Sequence, residues 1–101
     1  MIMGTIPAPL ILNTIGPKRG YGGQVIKFYG ATFSLTVDYY AKFGELKPTH
    51  LFYQNAGLLE GDVPERDKLG PVLVSIVTKE GNSLCHDMHQ FVYIARDCRN
   101  A

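Results

Sequence analysis

Residues with chemical potential gather in one run, Cys85-His86-Asp87-Met88-His89, whose members can bind metals or move protons. On a strand, successive side chains point to opposite faces. Cys85, Asp87 and His89 would then share one face, with His86 and Met88 on the other. A single site would hold three ligands at most. Structural zinc takes four, usually as spaced pairs, and the chain offers no second pair, His50 being its only other histidine. Cys85, His86 and His89 are therefore weak metal candidates, and no cofactor is expected. The same face could set Cys85 as nucleophile with His89 as base and Asp87 as orienting group. Catalytic partners, however, usually converge from different elements, while neighbours on one strand project in parallel. The plainer reading is a thiol that acts as a small hydrophobe, and no catalytic residue is assigned.

A second group is Lys18-Arg19-Gly20-Tyr21-Gly22-Gly23. Successive glycines let backbone N–H groups converge on an anion, and two cations stand beside them. The pattern lacks the spacing, the Gly-Lys-Ser/Thr ending and the following helix of a phosphate-binding P-loop. Its bland reading is a turn between two strands.

The third group is aromatic: six Tyr, five Phe and no Trp. Phe28/Tyr29 and Tyr39/Tyr40 are adjacent pairs, so in strands one member of each must face away from the other. Exposed tyrosines are enriched where proteins meet partners. Lys18, Arg19, Tyr21, Tyr29, Tyr40 and Tyr53 are accordingly the candidate ligand- or partner-binding residues. Glu60, Asp62, Glu65 and Asp67 also cluster, but Arg66 and Lys68 interleave with them and no EF-hand order is present. That stretch reads as a solvated charged loop able to tune partner choice.

These groups must be carried by short elements, because eleven Gly and six Pro punctuate the chain. Strands are expected at Leu10 to Ile15, Gln24 to Tyr29, Thr49 to Gln54 and Pro71 to Thr78. Across Thr32 to Phe43 the residues Phe33, Leu35, Val37, Tyr39, Ala41 and Phe43 recur at period two, which predicts a half-buried strand. A helical reading of that segment would turn the fold into α+β. The apolar run Pro71 to Thr78 predicts a central strand, paired as a hairpin with Leu84 to Ala95. Asn55 to Gly70 is expected to be the longest irregular region, allowing a short helix around Val63 to Leu69 with Asp62 as cap and Pro64 at its first position.

The expected fold is thus all-β, one antiparallel sandwich or open barrel of about five to seven strands, spanning 1–101 with an N-terminal tail over 1–9. With 101 residues, of which 46% are hydrophobic, the chain can build one core without staples. A net charge of +1 gives no field to hold nucleic acid. No apolar run approaches the length of a membrane span, and the apolar start lacks the basic residues of a signal peptide. Two cysteines without such a signal point to the cytoplasm. If Cys85 and Cys98 lay on one extended strand, 13 steps would put them about 43 Å apart, so a bridge needs a chain reversal.

Two functions follow. The first is a non-catalytic interaction module, such as an inhibitor, adaptor or assembly subunit, with another protein or a second copy as partner, using strand tyrosines and the 55–70 loop. The alternative is a small-ligand binder taking an anionic or nucleotide-like molecule. A thiol or metal enzyme at Cys85 and His89 is the third reading.

Overall fold

The structure is a computed structural model and describes residues 10–85 and 87–95. Eight strands run in chain order: β1 (Ile11–Gly16), β2 (Arg19–Gly20), β3 (Val25–Ala31), β4 (Tyr39–Phe43), β5 (Thr49–Asn55), β6 (Leu58–Asp62), β7 (Gly70–Val77) and β8 (His89–Tyr93). Among the described residues there is no helix. The strands hydrogen-bond in the order β1-β3-β6-β5-β4-β7-β8-β2. The two ends of that ladder, β1 and β2, follow one another in sequence across Pro17-Lys18, so the sheet nearly closes on itself. β5 makes the fold-over: Thr49 to Leu51 pair with β4, and Phe52 to Asn55 pair with β6. The result is β1-β3-β6-β5 packed against β4-β7-β8, the strand arrangement of an immunoglobulin-like sandwich. All pairings are antiparallel except the short β2·β8 ladder.

Alternation explains the core. Ile26 and Phe28 of β3, Tyr39, Ala41 and Phe43 of β4, Val72, Val74 and Ile76 of β7, and Phe91 and Tyr93 of β8 point inward and are buried. Phe43, Phe91 and Tyr93 pack edge-to-face with centroids 5.2 to 6.5 Å apart, a favoured aromatic geometry. Gly30 is where β3 passes closest to β1. A Cβ there would collide with the Ile11 carbonyl oxygen and approach the Phe33 ring to 2.8 Å. Gly44 turns the chain between β4 and β5 at a φ of 56°, in the left-handed region that glycine adopts without steric penalty.

The all-β architecture agrees with the sequence reading, while several local expectations need correction. Thr32 to Asp38 is not strand. Thr32 adopts a φ of 67°, and the Ser34 hydroxyl accepts from the Thr36 backbone N–H at 3.2 Å, a local bond that competes with a ladder. Leu35 is consequently 75% exposed, and its place in the period-two pattern is coincidental. Only Tyr39–Phe43 obeys the alternation.

The 55–70 stretch is more ordered than expected, because it contains the whole of β6. The helix at Val63 to Leu69 does not form. Val63 instead exchanges backbone bonds with the strand-entry loop, donating to Gln24 O and accepting from Gly23 N, both at 2.8 Å. That two-sided pairing holds it extended. Pro71 to Thr78 is central but not buried on both faces throughout, since Leu73 is 57% exposed. The final hairpin exists, with β8 confined to His89–Tyr93. The 1–9 tail, His86 and Cys98 lie outside the described residues.

Tyr93 closes one end of the sandwich. Its hydroxyl donates to Pro64 O at 2.8 Å, and the Arg66 guanidinium sits 5.5 Å from its ring centroid. Arg66 in turn forks onto Glu45, with Nε 3.0 Å and Nη2 3.3 Å from the two carboxylate oxygens. Burial pushes the Tyr93 hydroxyl up to about 12. A raised phenol stabilises the fold fully below its unfolded value near 10, and that contribution disappears as pH climbs through 12. Tyr93→Phe should therefore lose about 1 kcal/mol at neutral pH. Urea titrations at stepped pH should show the gap from the parent closing between pH 10 and 12; a constant gap would rule out the buried phenol as its source.

Candidate functional site

The cysteine–histidine run does converge, but on backbone. Three of its side chains meet the outer edge of β1: Cys85 Sγ donates to Leu10 O at 3.2 Å, Asp87 Oδ2 accepts from Leu12 N at 3.0 Å, and His89 Nε2 lies 2.8 Å from Leu12 O. These are groups that β1 cannot bond to β3, and unpaired strand edges invite other strands. The run therefore works as a clasp that occupies the edge. Cys85 and Asp87 lie between the Leu84 N–H bond to Ile76 O and the start of β8, which brings them beside the start of β1. Burial pushes the Cys85 thiol up, away from the thiolate that a nucleophile or metal ligand requires. Among the described residues no three metal-ligating side chains form a site. Cys85 is buried with a free thiol.

The glycine loop is likewise committed to the protein. Tyr21 N donates to Gln24 Oε1 at 3.1 Å, Gly23 N to Val63 O, and Gln24 N to Tyr21 O. The Glu65 carboxyl packs directly against Gly22. A carboxylate therefore sits where an exogenous anion would approach the loop. Lys18 and Arg19 point elsewhere, lining an open depression of about 430 Å³ with Gln90 and Val92 on the outer face of β8. Tyr21 borders a different hollow with Glu65, Arg66, Leu69 and Ile94.

The tyrosines separate by strand parity. Tyr53 turns inward and packs on the core. Tyr29 lies outside on β3, 40% exposed, its ring beside Gly16. Tyr40 faces outward from β4 and begins a row: its ring lies 5.1 Å from His50, which lies 4.7 Å from Phe52. His50 and Phe52 follow one another on the outer side of β5, with Tyr40 beside His50 across the β4–β5 ladder and Phe52 56% accessible. Beyond Phe52 the row opens into a shallow depression of about 200 Å³ lined by Val25, Phe52, Gln54, Glu60, Gly61 and Asp62. The register explains the grouping, because Phe52 is paired with Glu60, and Asp62 with Val25. Lys27 approaches Glu60 at 3.8 Å.

An apolar ring flanked by an amide and two carboxylates thus lies across three adjacent strands, β5, β6 and β3. Phe52 and Gln54 were not singled out by sequence. Their signal was present, since an inward Leu51 and Tyr53 oblige Phe52 and Gln54 to face outward.

Similarity to known proteins adds a frame. No family model matches the sequence, and no curated protein matches it. Solved structures do. An auxiliary nutrient binding protein from Bacteroides thetaiotaomicron superposes with a TM-score of 0.57 at 20% identity, over 89% of this chain and 20% of that one. One from Bacteroides ovatus gives 0.56 at 21%, over 88% and 20%. The likeness is one of fold. A candidate phosphatase from Bacteroides thetaiotaomicron gives 0.54 at 17%, over 87% and 17%. This chain spans about a fifth of the length of the nutrient-binding chains and less of the phosphatase. One sandwich of this type thus occurs inside longer proteins of differing description.

Proposed function

We propose that this domain is a non-catalytic binding module that receives a polar ligand on its outer sheet face, centred on Phe52. The observation that carries the reading is the exposed Tyr40-His50-Phe52 row ending beside Gln54, Glu60 and Asp62. A large aromatic ring left accessible next to convergent polar groups is the usual make-up of a ligand contact. Two fold neighbours described as nutrient binding proteins lend support, as does the engagement of Cys85 and His89 in holding β1. Docking of another protein is the less favoured use of this surface. Two carboxylates beside the ring are depleted types in the centre of protein interfaces, and the β1 edge is already occupied by side chains.

Saturation-transfer NMR against a mixed set of sugars, amines and carboxylic acids tests the proposal. Binders should be found, and Phe52→Ala should lose their signal while unfolding at the parent's denaturant midpoint. Equal signal from the variant would move the binding site elsewhere.

A further inference from the structure

We infer that the ligand is a neutral glycan, held one pyranose unit at a time across Phe52 and the Gln54-Glu60-Asp62 rim. This rests on the reading of that face as the binding surface and names the chemistry it selects. The first argument is charge. Glu60 and Asp62 border the depression, no cation is among its lining residues, and Lys27 approaches Glu60 at 3.8 Å. An anion would meet repulsion there.

The second argument is shape. A compact ligand has most of its surface enclosed at its site, whereas this opening is one-sided and holds about 200 Å³. An extended molecule that lays successive units on a surface fits better. Phe52, 56% exposed at the edge of that opening, offers one ring on which a single unit of such a chain can lie while its neighbours extend beyond the rim.

The third argument is polarity within one unit. A pyranose has an apolar C–H face and a hydroxyl rim. Phe52 and Val25 offer the apolar floor. The carboxylates accept from vicinal hydroxyls, and the Gln54 amide both donates and accepts. Hydrogen bonds to charged acceptors are the stronger kind. A simple amine would use the carboxylates and the ring but leave the amide idle.

Amide chemical shifts of the ¹⁵N-labelled full chain, titrated with four separate probes, decide the matter. The probes are α-1,4- and β-1,4-linked glucose hexasaccharides, hexagalacturonate and spermidine. We expect at least one neutral hexasaccharide to shift residues 52–54 and 60–62, with Kd on the order of 1 mM for an open contact. Phe52→Ala should weaken it at least tenfold, and Asp62→Asn or Gln54→Ala about fivefold, with spectra that remain dispersed. Spermidine alone shifting these residues would overturn the glycan while leaving the surface a binding site. Hexagalacturonate binding as well as the neutral glycans would overturn the charge argument. Silence from all four probes at these residues would overturn the glycan, and if the mixed small-molecule screen is silent too, the surface falls with it.

Discussion

Phe43→Ala should unfold this domain at markedly lower denaturant, with a loss of about 3 to 5 kcal/mol. Phe43 is fully buried at the C-terminal end of β4 and touches both Phe91 and Tyr93 edge-to-face. Truncation removes transfer free energy and leaves a void between the two sheets. The void cannot close easily, because β4 is held on one side by β5 and on the other by β7. A domain of this size has about 5 to 15 kcal/mol in total, so the variant should sit close to its unfolding midpoint in mild conditions. Phe52→Ala is the internal control: the same chemical change on the exposed side should move stability by about 0.5 kcal/mol or less. Urea unfolding followed by far-ultraviolet circular dichroism separates them. Similar midpoints for the two variants would contradict the assignment of faces on β4 and β5.

The clasp on β1 gives the second large effect. The double variant Asp87→Ala/His89→Ala removes the partners of Leu12 N and Leu12 O together. We expect a loss of about 2 to 3 kcal/mol, reduced from the full value of two such bonds because Asp87 is exposed. The edge of β1 would then present unpaired backbone groups beside Leu10 and Ile11, and a freed edge pairs with other strands. Sedimentation velocity across a concentration series should show the parent without concentration-dependent growth relative to the variant, which should associate. Asp87→Asn keeps an acceptor oxygen and should retain more than half of the stability. A double variant of unchanged stability and association would show that water replaces the clasp without penalty.

That clasp also shows how far the sequence alone carries. The shared face of Cys85, Asp87 and His89 follows from parity, and the structure brings all three to one place. What they meet there, the edge of a strand more than seventy residues earlier, depends on β1 folding beside Cys85, Asp87 and His89, and no local pattern encodes that encounter. The same division holds for the aromatic residues. Alternation places Tyr40 outward without any structure, because Tyr39 and Ala41 must enter the core. Tyr53 has the reverse fate, turned inward between Phe52 and Gln54. The row Tyr40-His50-Phe52 needs β4 and β5 to pair in one register, and the depression beyond it needs β6 and β3 to pair in theirs.

The sequence by itself determined the class of fold. Dense Gly and Pro punctuation keeps elements short, and the period-two alternation of β4 together with the continuous apolar run of β7 makes strands that must stack on one another. It also determined which residues are apolar enough to form the core. The tertiary structure decided everything that depends on register between distant strands: the switch of β5 between two faces, the near-closure of β1 and β2, the approach of Glu65 to the glycine loop, and the meeting of Phe52 with Glu60 and Asp62. The physical reason is that parity is a property of one strand, fixed by local backbone geometry, while neighbourhood across a sheet is settled by the packing of the whole core.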